Sequence, residues 1–443
     1  MKKINIIIIL FLIFADNSLL SSIIQKNSRI AFIGNNLCSR MINYGYFETE
    51  LYLRYPNAKL LIRNLCDGVN TPGFRPHSGR YSHWAFKGAE KFNQEYNVGD
   101  SLTWLGSRYW SNGHFESPDE WLDRLNIDII FGFFGYNESF RGSEGLNDFK
   151  NELSGFIEHT VNQVYNNKPP EIILISPVSF QDLSNEMNLP DGTIINKNLE
   201  LYTNAMKEIA TKYNILFIDV YNPSKKWFDS EKMTIDGLQL NENGYKKFSK
   251  YIVEKITNKK VVVNNSEKYK NIKKRVLEKN KMWLYDYKIP NGVHVYGRRY
   301  DPFGPDNYPK EIKKIRQLTD NRDKSIWAEL SNKPFNLEKN DERTIKLNKI
   351  KSNYKFGNYG HGNINPKSEI NQIKYLNEKE SINSFVLAPG YNIELFASEK
   401  DFPDLANPVQ LSFDNKGRLW VATMPSYPHF KPGDKYPNDK LLI

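Results

Sequence analysis

Four short segments carry side chains that could act together on a bound molecule: Gly34-Asn35-Asn36, Asn64 to Gly68, Gly135-Tyr136-Asn137-Glu138 and Asp236-Gly237-Leu238-Gln239. A rigidly held glycine N–H and a carboxamide donate hydrogen bonds to an oxygen that becomes an anion only in a transition state, and Gly68 and Asn137 are of those types. Asp236 is of the type that orients a proton acceptor, and Glu138 is a second carboxylate. Asn36 and Gln239 differ in kind. A carboxamide is not an activatable nucleophile, and glutamine does not titrate near neutral pH. Each segment also has a plain reading, because Asn and Gly after a strand often serve turn geometry alone. Their joint order is what singles them out.

Such residues act together only if the elements before them end at one place. Arg29 to Gly34, Lys59 to Arg63, Ile127 to Phe134, Glu171 to Ser176 and Ile215 to Asp219 read as short buried strands. Helical patterns lie between them, from Phe47 to Tyr55, Asp119 to Leu125, Asp148 to Tyr165, Asn196 to Tyr213 and Glu242 to Ile256. Strands alternating with helices predict a parallel α/β sheet, which binds ligands beyond the carboxyl ends of its strands. The first three segments follow strands in that sense, and Asp236-Gly237-Leu238-Gln239 is the fourth.

The stretch from Gly68 to Pro118 interrupts this rhythm with Arg75, His77, Arg80, His83, Trp84, Trp104, Trp110 and His114. A loop of that length inside a domain is usually functional or disordered, and its aromatic content argues for order. If it crosses the carboxyl edge, Arg75 and His77 are candidates to touch substrate together with Glu138, and the histidines could approach Asp236. Lone histidines more often pack or face solvent. Their spacings, with Asp67 and Glu138, match no metal-ligand pattern, so no metal is expected.

After Lys260 two further helices are predicted, over Glu267 to Trp283 and Pro309 to Trp327, with Pro309 in the first turn. Residues 259 to 355 hold 25 basic and 12 acidic residues, against 61 and 51 in the whole chain, so this stretch carries the whole net charge of +10 and the rest of the chain is slightly acidic. That reads as a solvated basic face on an accessory segment rather than a nucleic-acid surface. Residues 331 to 384 read as a loosely ordered linker. From 385 the period becomes two. Val386, Tyr391 to Phe396, Val409 to Phe413 and Leu419 to Ala422 are predicted strands, with a hairpin turn at Asp414-Asn415-Lys416-Gly417. Too few strands follow to close a sandwich or propeller, so the chain reads as part of a longer polypeptide.

In order and spacing, the four segments resemble the four blocks of the SGNH (GDSL-type) hydrolases, across about residues 28 to 258. The resemblance implies a flavodoxin-like three-layer α/β sheet and ester hydrolysis. Position by position, it puts Gly68 and Asn137 in the oxyanion hole and Asp236 at the acid, but Asn36 where the family has its serine and Gln239 where it has its histidine. Loss of either would cost orders of magnitude in a serine mechanism. Leu387-Ala388-Pro389-Gly390-Tyr391 and Ser412 to Val421 are similar to the opening of the β-propeller in bacterial membrane-bound dehydrogenase-like proteins. Those continue into propeller and cytochrome c domains, which the resemblance makes partners of this chain. Tyr296-Gly297-Arg298 and Asn321 to Trp327 are similar to the joint between modules. The implied organisation is an SGNH-like domain at 28–258, a helical basic extension at 259–330, a linker at 331–384 and a propeller start at 385–443.

Met1 to Ala15 has a Lys2-Lys3 start and an apolar run broken only by Asn5, which reads as a secretory signal ending by residue 22. Such a run is too short to span a bilayer of roughly 30 Å. Cys38 and Cys66 are the only cysteines. No Cys-x-x-Cys-His haem attachment exists here, and no cofactor is expected in this chain. In an exported protein the two pair as a disulfide or stay as buried thiols, and spacing leaves both open.

Three readings follow. The first is an exported SGNH-type hydrolase acting on an ester, such as an acylated carbohydrate whose rings stack on the aromatic insertion. The second is a glycan- or ligand-binding module that has lost nucleophile and base. The third is a scaffold for the propeller and cytochrome c domains.

Overall fold

In a computed structural model, residues 23–77, 82–92, 115–186, 188–257, 266–288, 300–347, 376–425 and 439–443 are described. The expected signal at 1–22, Arg80, Trp104, Trp110, His114 and Tyr296 to Arg298 lie outside them.

β1 (Arg29–Gly34) leads into α1 (Asn36–Met41), α2 (Tyr46–Arg54) and β2 (Leu61–Asn64). Beyond the insertion follow α3 (Pro118–Arg124), β3 (Ile129–Phe133), α4 (Tyr136–Ser139), α5 (Leu146–Val161) and β4 (Glu171–Ile175). Then come α6 (Thr193–Lys212), β5 (Leu216–Ile218), α7 (Tyr221–Phe228) and α8 (Glu242–Thr257). The strands form one parallel sheet in the order β2-β1-β3-β4-β5. Ile30 pairs with Ile129 and Phe133 with Ile175.

Successive strand residues point to opposite faces, so the sheet feeds two cores. Ile30, Phe32, Phe131 and Ile173 pack on one side with Phe47 and Leu51 of α2 and Phe248 and Ile252 of α8. Ala31, Ile33, Ile130 and Leu174 pack on the other with Trp121 of α3, Leu153 and Phe156 of α5, and Met206 of α6. The strand order steps from β1 in both directions, the flavodoxin-like arrangement whose crevice lies beyond the strand carboxyl ends. A five-stranded parallel sheet covered on both faces fits the α/β frame that the resemblance implies.

α9 (Glu267–Tyr287) and α10 (Tyr300–Leu330) pair with each other, and α10 begins ahead of the Pro309 expected to open it. They do more than present a solvated basic face. α9 straddles the sheet edge, with Ile272 and Val276 in one core and Trp283 and Tyr287 in the other. An edge strand exposes a row of unpaired backbone groups. Here the β2 edge carbonyls are met by side-chain donors: Lys279 Nζ to Ile62 O at 3.1 Å, Trp283 Nε1 to Asn64 O at 2.7 Å, Tyr287 OH to Leu65 O at 3.0 Å and Trp327 Nε1 to Leu60 O at 2.9 Å. Arg63 of β2 pairs with Asp323 of α10, both buried. α11 (Leu337–Glu342), inside the stretch expected as linker, is tied to α10 by Arg322 and Asp341 at 3.0 Å. Residues 1–353 form one compact unit.

The second unit, 354–443, holds α12 (Glu378–Asn383) and the strands β6 (Pro408–Phe413), β7 (Leu419–Thr423) and β8 (Lys440–Leu442). They form a three-stranded antiparallel sheet, and the described residues of this unit go no further toward a propeller. The expected hairpin turn is present: Asp414 Oδ1 accepts from Lys416 N and Arg418 N, at 2.9 and 3.0 Å. The strands expected at Val386 and Tyr391 to Phe396 do not form, because those residues have no ladder partner among the described residues. No helix among the described residues is long and apolar enough to cross a membrane.

Candidate functional site

The tip of β1 sets the first wall. Gly34 has φ +148°, and a Cβ there would stand 2.1 Å from Phe133 O, so only glycine lets β1 approach β3 this closely. Asn35 N–H then donates to Phe133 O at 3.2 Å, and the chain turns into α1 with Asn36, Leu37 and Arg40. Cys38 of α1 and Cys66 beyond β2 form a disulfide, the first of the two states that spacing left open. In that disulfide Cys38 has no thiol to act as a nucleophile. Asn64 braces the same junction, donating to Cys38 O at 2.7 Å and accepting from Cys66 N at 2.9 Å.

The opposite wall is the loop before α8. Gly237, at φ +92°, lies where a Cβ would be 2.3 Å from the Phe180 ring. Buried Gln181 clamps this loop from across the sheet. Its Oε1 accepts from Met233 N and Thr234 N at 3.0 Å and from Thr234 Oγ1 at 2.8 Å, and its Nε2 donates to Phe228 O and Glu231 O at 3.1 and 2.8 Å. Asp236 Oδ1 accepts from Leu238 N at 3.1 Å and Gln239 N at 2.7 Å. The carboxylate expected to orient a base thus closes its own turn.

Between these walls lies a small hollow of about 20 Å³, room for about one water molecule and partly open to solvent, lined by Asn36, Leu37, Arg40, Tyr136, Pro177, Val178, Leu238, Gln239 and Tyr245. Asn36 and Gln239 therefore meet at one hollow. None of the lining residues is Ser, Thr, Cys, His, Asp or Glu. Burial, and then the charge of Asp236, pushes the Tyr136 phenol up to about 12. Tyr245 is raised further by burial, and its hydroxyl donates to Leu37 O at 2.9 Å. Neither phenol is a base at neutral pH.

Gly68 and Asn137 are brought together beside this hollow but do not line it. Asn137 Nδ2 donates to Gly68 O at 2.9 Å and to Asn70 O at 3.1 Å, which uses both of its N–H groups. Gly68 N–H donates to Asp67 Oδ1 at 2.7 Å, and Asp67 pairs with Lys288 at 2.9 Å. Both N–H groups expected to form an oxyanion hole already have acceptors within the chain.

Arg75, His77 and Glu138, expected to touch substrate, do not line the hollow either. Arg75 is buried; its Nη2 donates to Pro72 O at 3.2 Å and its guanidinium lies 5.1 Å above the Phe156 ring. His77 stacks on Phe115 at 3.7 Å. Glu138 is buried at the start of α4, where its Oε2 accepts from Gly135 N at 2.8 Å and its Oε1 meets no donor. Burial and the nearby Glu152 charge raise its carboxyl to about 8, against the lowering effect of its backbone hydrogen bonds. Glu152 anchors the root of the insertion, accepting from Thr71 Oγ1 and Gly73 N at 2.6 and 2.8 Å. Arg75 and His77 lie away from the hollow because the insertion's root turns inward onto α5, and Glu138 because its carboxylate caps the start of α4. Among the described residues no group of three or more His, Cys, Asp or Glu could hold a metal.

Arg40, Tyr245 and Gln181 were missed. Arg40 stands four residues after Asn36, the helical spacing that puts two side chains on one face, so its place was legible. Tyr245 and Gln181 reach the site only through long-range packing.

The domain family DUF7133, a domain of unknown function, matches residues 377–443. No curated protein matches the chain. Among solved structures, it is similar to a lipase/acylhydrolase from Enterococcus faecalis at 16% identity, covering 53% of this chain and 100% of that one, with a TM-score of 0.33. It is also similar to an aryl esterase from M. smegmatis at 12% identity, covering 52% and 99%, with a TM-score of 0.33. A gut microbial diltiazem-metabolizing enzyme is similar at 12% identity and a TM-score of 0.35, over 53% of this chain; the chain spans 47% of that protein. At such identities and scores these likenesses say nothing about chemistry, which rests on the residues of the hollow.

Proposed function

We propose that this chain is an exported ligand-binding module on an SGNH hydrolase-like α/β frame, holding a small molecule between Asn36 and Gln239 without serine-type ester hydrolysis there. One observation carries this reading: the hollow where nucleophile and base would stand is lined by two carboxamides and by no group that could attack an ester or accept its proton at neutral pH. The commitment of Asn137 and Gly68 to intrachain acceptors supports it, since a preorganised oxyanion site needs free donors. The Cys38–Cys66 disulfide fits an oxidising compartment. In this reading the module works beside the propeller and cytochrome c domains that residues beyond 385 resemble, and a carbohydrate or its ester is the first ligand class to screen.

The hydrolase reading retains one favourable observation, the meeting of all four segments at one sheet edge. The two readings part on p-nitrophenyl acetate. The full chain is expected to release nitrophenolate no faster than buffer and without a burst. A stoichiometric burst of nitrophenolate would overturn the binding reading in favour of the enzyme.

A further inference from the structure

We propose that the hollow recognises an organic carboxylate, with Arg40 as its counter-ion and the carboxamides of Asn36 and Gln239 beside it. This rests on the binding reading of the same hollow and names the chemistry of what is bound.

Arg40 is the one charged residue among those lining the hollow. It forms no ion pair among the described residues; its Nη2 reaches Tyr44 OH at 3.4 Å, its guanidinium also hydrogen-bonds the Tyr245 hydroxyl, and its Nε–H is buried with no acceptor among the described residues. Leaving a buried donor unmet costs on the order of 1–3 kcal/mol, which an incoming oxygen would relieve. A guanidinium is a planar fork that matches the two oxygens of a carboxylate better than it matches a neutral hydroxyl. Asn36 and Gln239 line the hollow, and among the described residues their amides have no side-chain hydrogen-bond partner, so they can meet the same group. The closest acidic side chain in sequence to this wall, Asp236, turns its Oδ1 into its own loop. Leu37, Pro177, Val178 and Leu238 supply an apolar lining, which lowers the local dielectric and strengthens a charge pair.

Calorimetric titration of the full chain with sodium glucuronate, sodium butyrate and glucose tests this. One or both carboxylates are expected to bind saturably and glucose not; glucuronate alone points to a sugar acid, butyrate alone to a short acyl acid. Arg40→Met is expected to weaken that binding about tenfold or more, with Arg40→Lys intermediate and the melting temperature unmoved. Asn36→Asp, which sets a like charge in the hollow, gives the same loss and serves if Arg40→Met does not fold. Glucose binding as tightly as glucuronate, or unchanged affinity in Arg40→Met, would overturn the carboxylate assignment and leave the binding reading standing. Absence of heat with all three probes also overturns it, whereas the binding reading itself falls only to the acyl burst described above.

Discussion

The strand-tip edge of the α/β unit has two halves that treat their polar groups in opposite ways. At the β2 half, Asn137, Gly68, Asp67, Asn64 and the β2 carbonyls all bond within the chain, and α9 seals the edge. At the other half, Asn36, Arg40 and Gln239 line a hollow, where the Arg40 Nε–H is buried without an acceptor among the described residues. Polar groups held by the protein stabilise the fold, while unmet groups around a cleft gain their partners from a ligand. Substitutions in the first half should therefore move stability and leave binding alone, and those in the second should do the reverse.

The largest test of that contrast is the buried ion pair of Lys279 and Glu48, with Asn280 Nδ2 also on Glu48 at 2.8 Å. Burial lowers the Lys279 ammonium from its usual range despite its partner. Lys279→Ala strands a buried carboxylate and should cost about 3–5 kcal/mol in denaturant melts, while Lys279→Met with Glu48→Leu recovers most of it. Next is the disulfide, which joins the two halves covalently. It closes a loop of 28 residues, and Cys38→Ala with Cys66→Ala should cost about 3.5 kcal/mol and also loosen ligand binding, because α1 carries Asn36 and Arg40. Asn137→Ala removes two hydrogen bonds for about 2 kcal/mol, and calorimetry should find affinity unchanged. A large affinity loss there would return Asn137 to the site.

Glu138 gives a pH test. Its carboxyl rises from an ordinary 4.5 to about 8 in the fold, so between those values the native state binds the extra proton. Stability should be full below about 4.5, fall as pH rises toward 8 by up to about 1.4 kcal/mol per unit, and level off above. Melts of Glu138→Gln should lose that slope. The smallest stability effect is expected at the open half: Gln239→Ala should stay within about 0.5 kcal/mol while weakening ligand binding.

Buried parallel strands read as apolar runs bounded by turn residues, which is why β1 to β5 stand close to their expected places. The period-two pattern at Tyr391 to Phe396 shows the limit of that reasoning, since alternation describes a face and a strand also needs a neighbour to bond. In α9, Lys279, Trp283 and Tyr287 recur every fourth residue, so their shared face was visible. Nothing local revealed that this face would meet the carbonyls of Ile62, Asn64 and Leu65, more than two hundred residues earlier.

By itself the sequence determined the alternation of strands and helices, the meeting of four segments beyond the strand ends, and the carboxamides at the two decisive positions. Those follow from hydrophobic period and side-chain chemistry, which are local properties. Tertiary structure decided the rest: that Asn137 and Gly68 bond inward, that Glu138 and Arg75 are buried, that the cysteines pair and that Arg40 lines the hollow with no ion-pair partner among the described residues. Each of these depends on which distant donor or acceptor lies within about 3 Å, and hydrogen-bond reach is set by packing rather than by spacing along the chain.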